Sequence, residues 1–283
     1  MPGHLRINEG QDNMFTQLKP GKKLIIGCIH LLPLPNTPYY QEGDYDRSIE
    51  KALRDAEALI KGGADGCLIQ GIDGGIFPNT DDTDYARVAC ISVIGNEVRR
   101  MAGPDFKVGV QLMWNCITPS LAAAKACHAD FTRCTALAGS TSSRFGPIVA
   151  QPLKVQNYRR RIGADNVAMI AEIAGYHVQQ GGYDKARFIE QARDVLSVGA
   201  NAIEMFHGDE ALNERMVCDL KEAFPTAPVV LGGGTNIENA ARRLKYADCA
   251  IVGTCFEKGN WGGDVQWDAV RDYVQNVRQI EPQ

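Results

Sequence analysis

Two short glycine turns near the C-terminal end of the sequence carry its strongest chemical signal. "VVLGGGTNIENA" sets Gly232, Gly233, Gly234 and Thr235 directly after an apolar run, and "DCAIVGTCF" repeats the arrangement with Gly253 and Thr254. Small residues after a strand let backbone N–H groups approach an anion, and a helix opening just beyond adds positive potential at its N-terminus. Phosphate binding is the chemistry expected of such a pair. The plainer reading is two tight turns that need glycine for steric reasons, but the recurrence in two consecutive strand-to-helix connections favours the anion.

Other polar side chains fall at the ends of apolar runs. His30 closes the first, Asp73 follows the second, Asn115 follows the third, and Arg133 lies within the fourth. Glu172 sits in the fifth with His177 soon after it, and Glu204 sits in the sixth with His207 just past it. A carboxylate inside an apolar strand is costly to desolvate unless it is paired, so Glu172 and Glu204 require an explanation. Burial is expected to raise such a carboxyl toward neutrality, and two carboxyls in different environments can divide acid and base roles. Glu172, Asp73 and Glu204 are therefore the catalytic candidates, with His30, Asn115, Arg133, His177 and His207 as substrate-binding candidates. The competing reading is a structural ion pair with Arg133.

Other chemistries find less support. Neither HxH nor HExxH spacing occurs, yet a divalent metal stays open because ligands drawn from separate strands leave no local signature; no metal ligand is nominated and no organic cofactor is expected. A Schiff-base lysine would project from a strand, and no strand interior holds one: Lys107 only opens the third run and Lys258 follows the last. Cys28, Cys255 and the remaining cysteines show no activating base and read as packed small residues.

The elements that must position these residues alternate regularly. Apolar runs at 24–31, 66–70, 107–113, 131–135, 167–173, 202–206, 228–231 and 249–253 give eight strand candidates. Amphipathic segments at 47–61, 119–128, 185–198, 210–224, 237–246 and 265–277 follow most of them. Strands separated by helices pair in parallel through crossovers, and continuously apolar strands are those buried on both faces. In "KGGADG" and "SVGANA" a glycine closes a helix and leads straight into the next strand. Eight units in this length predict a single (β/α)8 TIM barrel over residues 22–283, preceded by a polar arm, 1–21, read as a surface extension. The absence of GxGxxG after the first strand disfavours a dinucleotide-binding sheet. The long connections 32–45, 71–84, 136–150 and 174–183 all follow strands, which puts them at the mouth where barrels build active sites.

Composition excludes several partners. The 283 residues are 45% hydrophobic with a formal net charge of -4, and no block of like charge suggests nucleic acid or a polybasic membrane anchor. Arg159, Arg160 and Arg161, the longest basic run, read as a solvated helix end. Nine cysteines without a CxxC pair fit reduced thiols and a cytoplasmic location. No apolar run reaches the roughly 20 residues of a membrane span. A homo-oligomer is possible.

Three segments carry a resemblance: "GCIHLLPLPNTPYY", "ALRDAEALIKGGADG" and "GGGTNIENAARRLKYADCAIVGT", with "ADFTRC" at the fourth strand. They are similar to the BtpA/SgcQ family of predicted barrel proteins, over most of residues 24–278. The resemblance implies a barrel and a phosphorylated sugar or nucleotide-like ligand. Some members of that family are named for photosystem I accumulation, and others look like parts of carbohydrate-utilisation systems. The sequence departs from the family pattern at three turns. "QGIDGG" replaces an Asn-containing turn, "AEIAGYHV" offers Glu172, Tyr176 and His177 where Asp, Lys and His are expected, and Phe206 and His207 replace a Ser-Gly pair. A divergent member is expected.

The function expected is an enzyme acting on a phosphorylated small molecule, a sugar phosphate or nucleoside phosphate, by carboxylate and histidine acid–base chemistry. Isomerase, lyase and glycosidic-bond cleavage all remain open. The rival is a non-catalytic assembly or regulatory protein that keeps the barrel as a binding module; it predicts mouth carboxylates all tied into structural pairs.

Overall fold

In the computed structural model, residues 12–71, 84–143, 146–178 and 182–281 are described. Eight parallel strands close into a barrel: β1 (Leu24–Leu31), β2 (Gly66–Gly71), β3 (Lys107–Gln111), β4 (Phe131–Cys134), β7 (Ala168–Ala174), β8 (Ala202–Met205), β9 (Val229–Leu231) and β10 (Cys249–Val252), with β10 returning to β1. Around them lie α1 (Asp44–Gly62), α2 (Tyr85–Ala102), α3 (Ile117–Ala126), α4 (Pro152–Arg161), α5 (Lys185–Ser197), α6 (Glu210–Ala223), α7 (Ala240–Arg243) and α8 (Trp267–Arg278). The TIM-barrel expectation holds.

Strand alternation decides what faces the axis. In β1, Ile25 and Ile29 pack outward against the helices while Leu24, Ile26 and Cys28 point inward, which brings His30 to the axis at the strand's C-terminal end. The same rule turns Gln70, Arg133, Glu172 and Glu204 inward above an apolar floor of Leu68, Phe131, Ile170 and Ala202. Gly109 is required there, because a Cβ would collide with the Phe131 ring. Gly63 and Gly199 close α1 and α5 at φ +86° and +98°, as the two glycine turns predict.

Four features differ from expectation. The long connection after β4 contains an antiparallel hairpin, β5 (Ser140–Ser143) with β6 (Gly146–Val149), followed by α4. Neither α4 nor α2 shows a clean one-sided apolar stripe: α4 buries only Val155 and Arg159, and α2 is rich in Val and Ile on several faces. The N-terminal segment is no mere surface arm, since Met14 and Phe15 are buried against the floor residues at the bottom of the barrel. Arg159 is not a solvated helix end either. It is buried and donates to the carbonyl oxygens of Asp165 and Val167, both at 2.8 Å, while Arg160 and Arg161 are exposed.

Candidate functional site

A cavity of about 650 Å³ opens at the C-terminal end of the barrel. Its walls are His30 and Gln70 on one side, Arg133 and His177 on another, and the turns 232–236 and 253–255 on a third. The inward residue at the end of each of six consecutive strands is polar: His30, Gln70, Gln111, Arg133, Glu172 and Glu204. β9 and β10 end instead in glycine turns.

The charged members form a linked set. Arg133 Nε donates to Glu204 Oε2 at 2.7 Å, a second Arg133–Glu204 contact runs through Nη2, and Nη2 stands 3.5 Å from Glu172 Oε2. Burial works to lower the Arg133 pKa, but Glu204 and Glu172 beside it raise it, so the guanidinium stays charged. Glu204 is pushed above the usual carboxyl range by burial, with Arg133 opposing.

Glu172 behaves differently. Its Oε2 lies 2.7 Å from His177 Nδ1, and its Oε1 accepts from the backbone N–H groups of His177 and Val178 at 2.8 and 3.2 Å. Burial alone would raise it, yet the His177 hydrogen bond and the Arg133 charge hold it well below the usual range, at about 2. This corrects the expectation that burial moves Glu172 toward neutrality: it is a fixed carboxylate. The His177 ring lines the cavity, and in the neutral tautomer that donates Nδ1–H to Glu172 the lone pair is on Nε2.

A second histidine–carboxylate pair stands across the cavity. His30 Nδ1 is 2.6 Å from Oε1 of Glu257, both buried. Burial works to lower the His30 pKa, but hydrogen bonds to Cys28 and Glu257 raise it to about 9, so the ring is an imidazolium at neutral pH. Cys28 thus has a cationic neighbour that the sequence did not reveal. Trp261 lies with its ring 5.7 Å from that of His30.

Space explains much of the glycine content of the two turns. A Cβ on Gly232 would fall on the Glu204 carboxylate, one on Gly233 on the Tyr176 ring, and one on Gly234 on Phe206; Gly234 also has φ +71°. A Cβ on Gly253 would meet His30 Cε1 at 3.0 Å. Tyr176 stacks on Phe206 with ring centroids 5.1 Å apart, and its hydroxyl lies beside the Gly234 backbone N–H. The Gly232 N–H goes to the Met205 carbonyl, while those of Gly233, Thr235 and Thr254 have no acceptor among the described residues. Thr235 is braced from behind by Tyr273, whose hydroxyl is 2.9 Å from its Oγ1. The helix dipole expected behind these donors is not there: α7 is four residues long, and α8 opens only at Trp267, well past Thr254.

The structure therefore brings His30, Arg133, Glu172, His177, Glu204 and the turns Gly232–Thr235 and Gly253–Thr254 to one place. Asn115 is elsewhere, its Oδ1 accepting from the Ala136 N–H at 3.1 Å and tying two connections together. His207 faces a separate shallow pocket beside Phe206, its Nδ1 accepting from the Asp209 N–H at 3.1 Å. Asp73 lies outside the described residues. Among the described residues, no three His, Cys, Asp or Glu side chains cluster as a metal site, and no helix is long and apolar enough to cross a membrane. Gln70, Gln111, Tyr176 and Glu257 were missed as site residues. Gln70 and Gln111 gave the same signal as Glu172, a polar residue ending an apolar strand, without the charge that draws notice. Glu257 lies in a turn and gave none.

A model of the BtpA family matches residues 21–279. The chain belongs to the BtpA family. A protein of Archaeoglobus fulgidus is 33% identical over 260 residues, covering 91% of this chain and 99% of its own. The photosystem I biogenesis protein BtpA of Synechocystis is 26% identical over 237 residues, covering 83% of this chain and 80% of its own. Among solved structures, phosphoribosylanthranilate isomerase from Pyrococcus furiosus superposes with a TM-score of 0.55 at 12% identity, over 91% of this chain and 99% of that one. Tryptophan synthase from Mycobacterium tuberculosis gives 0.60 at 12% identity, over 91% and 93%. At that identity the two structures speak to the barrel alone. In this BtpA-family chain the segment "AEIAGYHV" supplies the cavity with a histidine–carboxylate pair.

Proposed function

We propose that this BtpA-family barrel is an enzyme that holds a phosphate-bearing small molecule and moves protons on it. The observation that carries the reading is two histidine–carboxylate pairs facing one cavity whose third wall offers unpaired backbone N–H groups. The phosphate would lie against Gly233, Thr235 and Thr254, whose backbone donors meet no acceptor among the described residues. His177, held through Nδ1 by Glu172 and lining the cavity, suits a general base, and the His30 imidazolium suits an acid or an electrostatic partner for a developing oxyanion. Glu172 is then a positioning residue that acts through His177, and the Arg133–Glu204 pair fixes the barrel interior between them.

Such a pair fits isomerisation, in which the base takes a proton from carbon while the acid covers the neighbouring oxygen, and the proton returns to the adjacent carbon. It also fits lyase chemistry, in which the departing oxygen or carbon is protonated. The barrel neighbours whose names concern phosphorylated compounds, a phosphoribosylanthranilate isomerase and a thiamine phosphate pyrophosphorylase, are an analogy of fold.

A binding-module role has one observation in its favour: Glu172, Glu204 and Glu257 are each paired. The experiment that separates the two is a thermal-shift screen of phosphorylated sugars and nucleotides, followed by product analysis of every compound that binds. A ligand that binds only the folded state raises the melting temperature. Binding with turnover supports the enzyme, binding without turnover supports the module, and a flat screen contradicts the phosphate site.

A further inference from the structure

The wall formed by β2 and β3 carries a feature that the acid–base reading does not use. Gln70 and Gln111 are register partners on adjacent strands, and both turn inward because Ile69 and Val110 face the helices. Gln70 is 7% exposed and Gln111 is fully buried. One end of the Gln70 carboxamide meets His30 Nε2 at 3.0 Å, and its other end has no partner among the described residues. Gln111 has none at either end among the described residues.

Buried carboxamides left unpaired oppose folding, and nearly all buried polar groups in native proteins are satisfied. Leucine or methionine would fill the same volume without that cost. Two adjacent amides kept in this state, Gln70 lining the cavity and Gln111 beside it in the same wall without exposed surface, mark a place that lacks hydrogen bonds a bound molecule could supply. Each carboxamide offers both donors and an acceptor, which a hydroxyl group matches in either direction. A charged end is poorly suited, because the charges beside this wall are already paired, His30 with Glu257 and Arg133 with Glu204 and Glu172. Around the ring of eight strands β3 stands four places from β9, so the amides and the β9 glycine turn lie on opposite walls.

We infer that Gln70 and Gln111 bind the uncharged, polyhydroxylated end of a ligand whose phosphate sits across the barrel, so that the substrate class is a polyol or sugar phosphate. This rests on the phosphate reading of the glycine turns.

The test is a thermal-shift titration of the full chain with inorganic phosphate, a panel of tetritol, pentitol and hexitol phosphates with the corresponding sugar phosphates, and phenyl phosphate. Parent, Gln70→Leu and Gln111→Leu are compared. In the parent, at least one polyol or sugar phosphate should raise the melting temperature beyond inorganic phosphate, and phenyl phosphate should not. Unliganded Gln111→Leu should melt at or above the parent, by about 2 °C for a chain of this size. Both leucine variants should keep the phosphate shift and lose the polyol increment. An increment that survives in both variants, a phenyl phosphate response equal to the best polyol phosphate, or a clear drop in the unliganded melting temperature of Gln111→Leu would overturn the inference. Response to phosphate without a polyol increment overturns it alone, whereas no response to any probe removes the phosphate site and this inference together.

Discussion

His177 Nδ1 lies 2.7 Å from Oε2 of Glu172, and the other oxygen of the same carboxylate accepts the His177 backbone N–H at 2.8 Å. One side chain thus holds both the ring and the loop that carries it. The consequence is that residue 172 contributes to stability and to any proton transfer at once, and the two contributions separate by pH.

Glu172 has a folded pKa below its unfolded value, so its contribution to stability is present in full above the ordinary glutamate range, near 4.3, and is lost as pH falls toward about 2. Glu172→Gln should cost about 1.5–3 kcal/mol at pH 7, the value of hydrogen bonds to a buried charge. It should also flatten the fall in stability between about pH 5 and 2. Urea unfolding at pH 7, 5 and 3 on parent and variant checks both.

His30 has the opposite sign. Its folded pKa is raised to about 9, so its contribution is present below the unfolded histidine value, near 6.5, and is lost as pH rises through 9. Glu257→Gln removes one of the two groups that raise it, and the His30 titration should move to lower pH. The Cε1–H resonance followed by NMR from pH 6 to 10 gives the midpoint in each protein. An unchanged midpoint would remove the Glu257 contact from the account.

Removing Glu204 leaves the Arg133 charge buried with only the 3.5 Å contact to Glu172. Glu204→Ala is expected to cost about 3–5 kcal/mol. The double variant Arg133→Met with Glu204→Leu should cost less than Glu204→Ala alone, because it removes the charge together with its partner. Equilibrium unfolding of the three proteins decides the order.

The two glycine turns should respond differently to alanine. Gly234→Ala places a Cβ on Phe206 at φ +71°, so it should destabilise by more than 1 kcal/mol whatever binds there. Gly253→Ala meets His30 Cε1 at 3.0 Å in a conformation that any residue adopts, so its melting temperature should stay within about 2 °C of the parent. Affinity for inorganic phosphate, read by calorimetry, should nevertheless fall at least tenfold in Gly253→Ala.

The barrel was legible because each strand is a continuous apolar run and each glycine after a helix marks its end. Helices α2 and α4 were not, since their buried faces are too mixed or too narrow to show a period. Glu172 and Glu204 stood out because a charge in an apolar strand has to be explained, and both reach the axis. What pairs them could not be read: His177 meets Glu172 through a loop that folds back on the strand end, and Glu257 reaches His30 across 227 positions. Asn115 and His207 shared the signal of a polar residue after a strand, but both lie beyond the strand ends at Gln111 and Met205, where their side chains serve the connections.

The most direct test of the central claim is proton NMR in D2O of the phosphorylated compounds that bind, incubated with the parent protein and with His177→Gln. The account predicts solvent deuterium in recovered substrate or product with the parent. With His177→Gln, binding should be kept and the rate lowered by about 10²–10⁴, the typical contribution of a positioned general base. Deuterium incorporation at equal rates in the two proteins, or compounds that bind the parent and return unlabelled and unconverted, would contradict it.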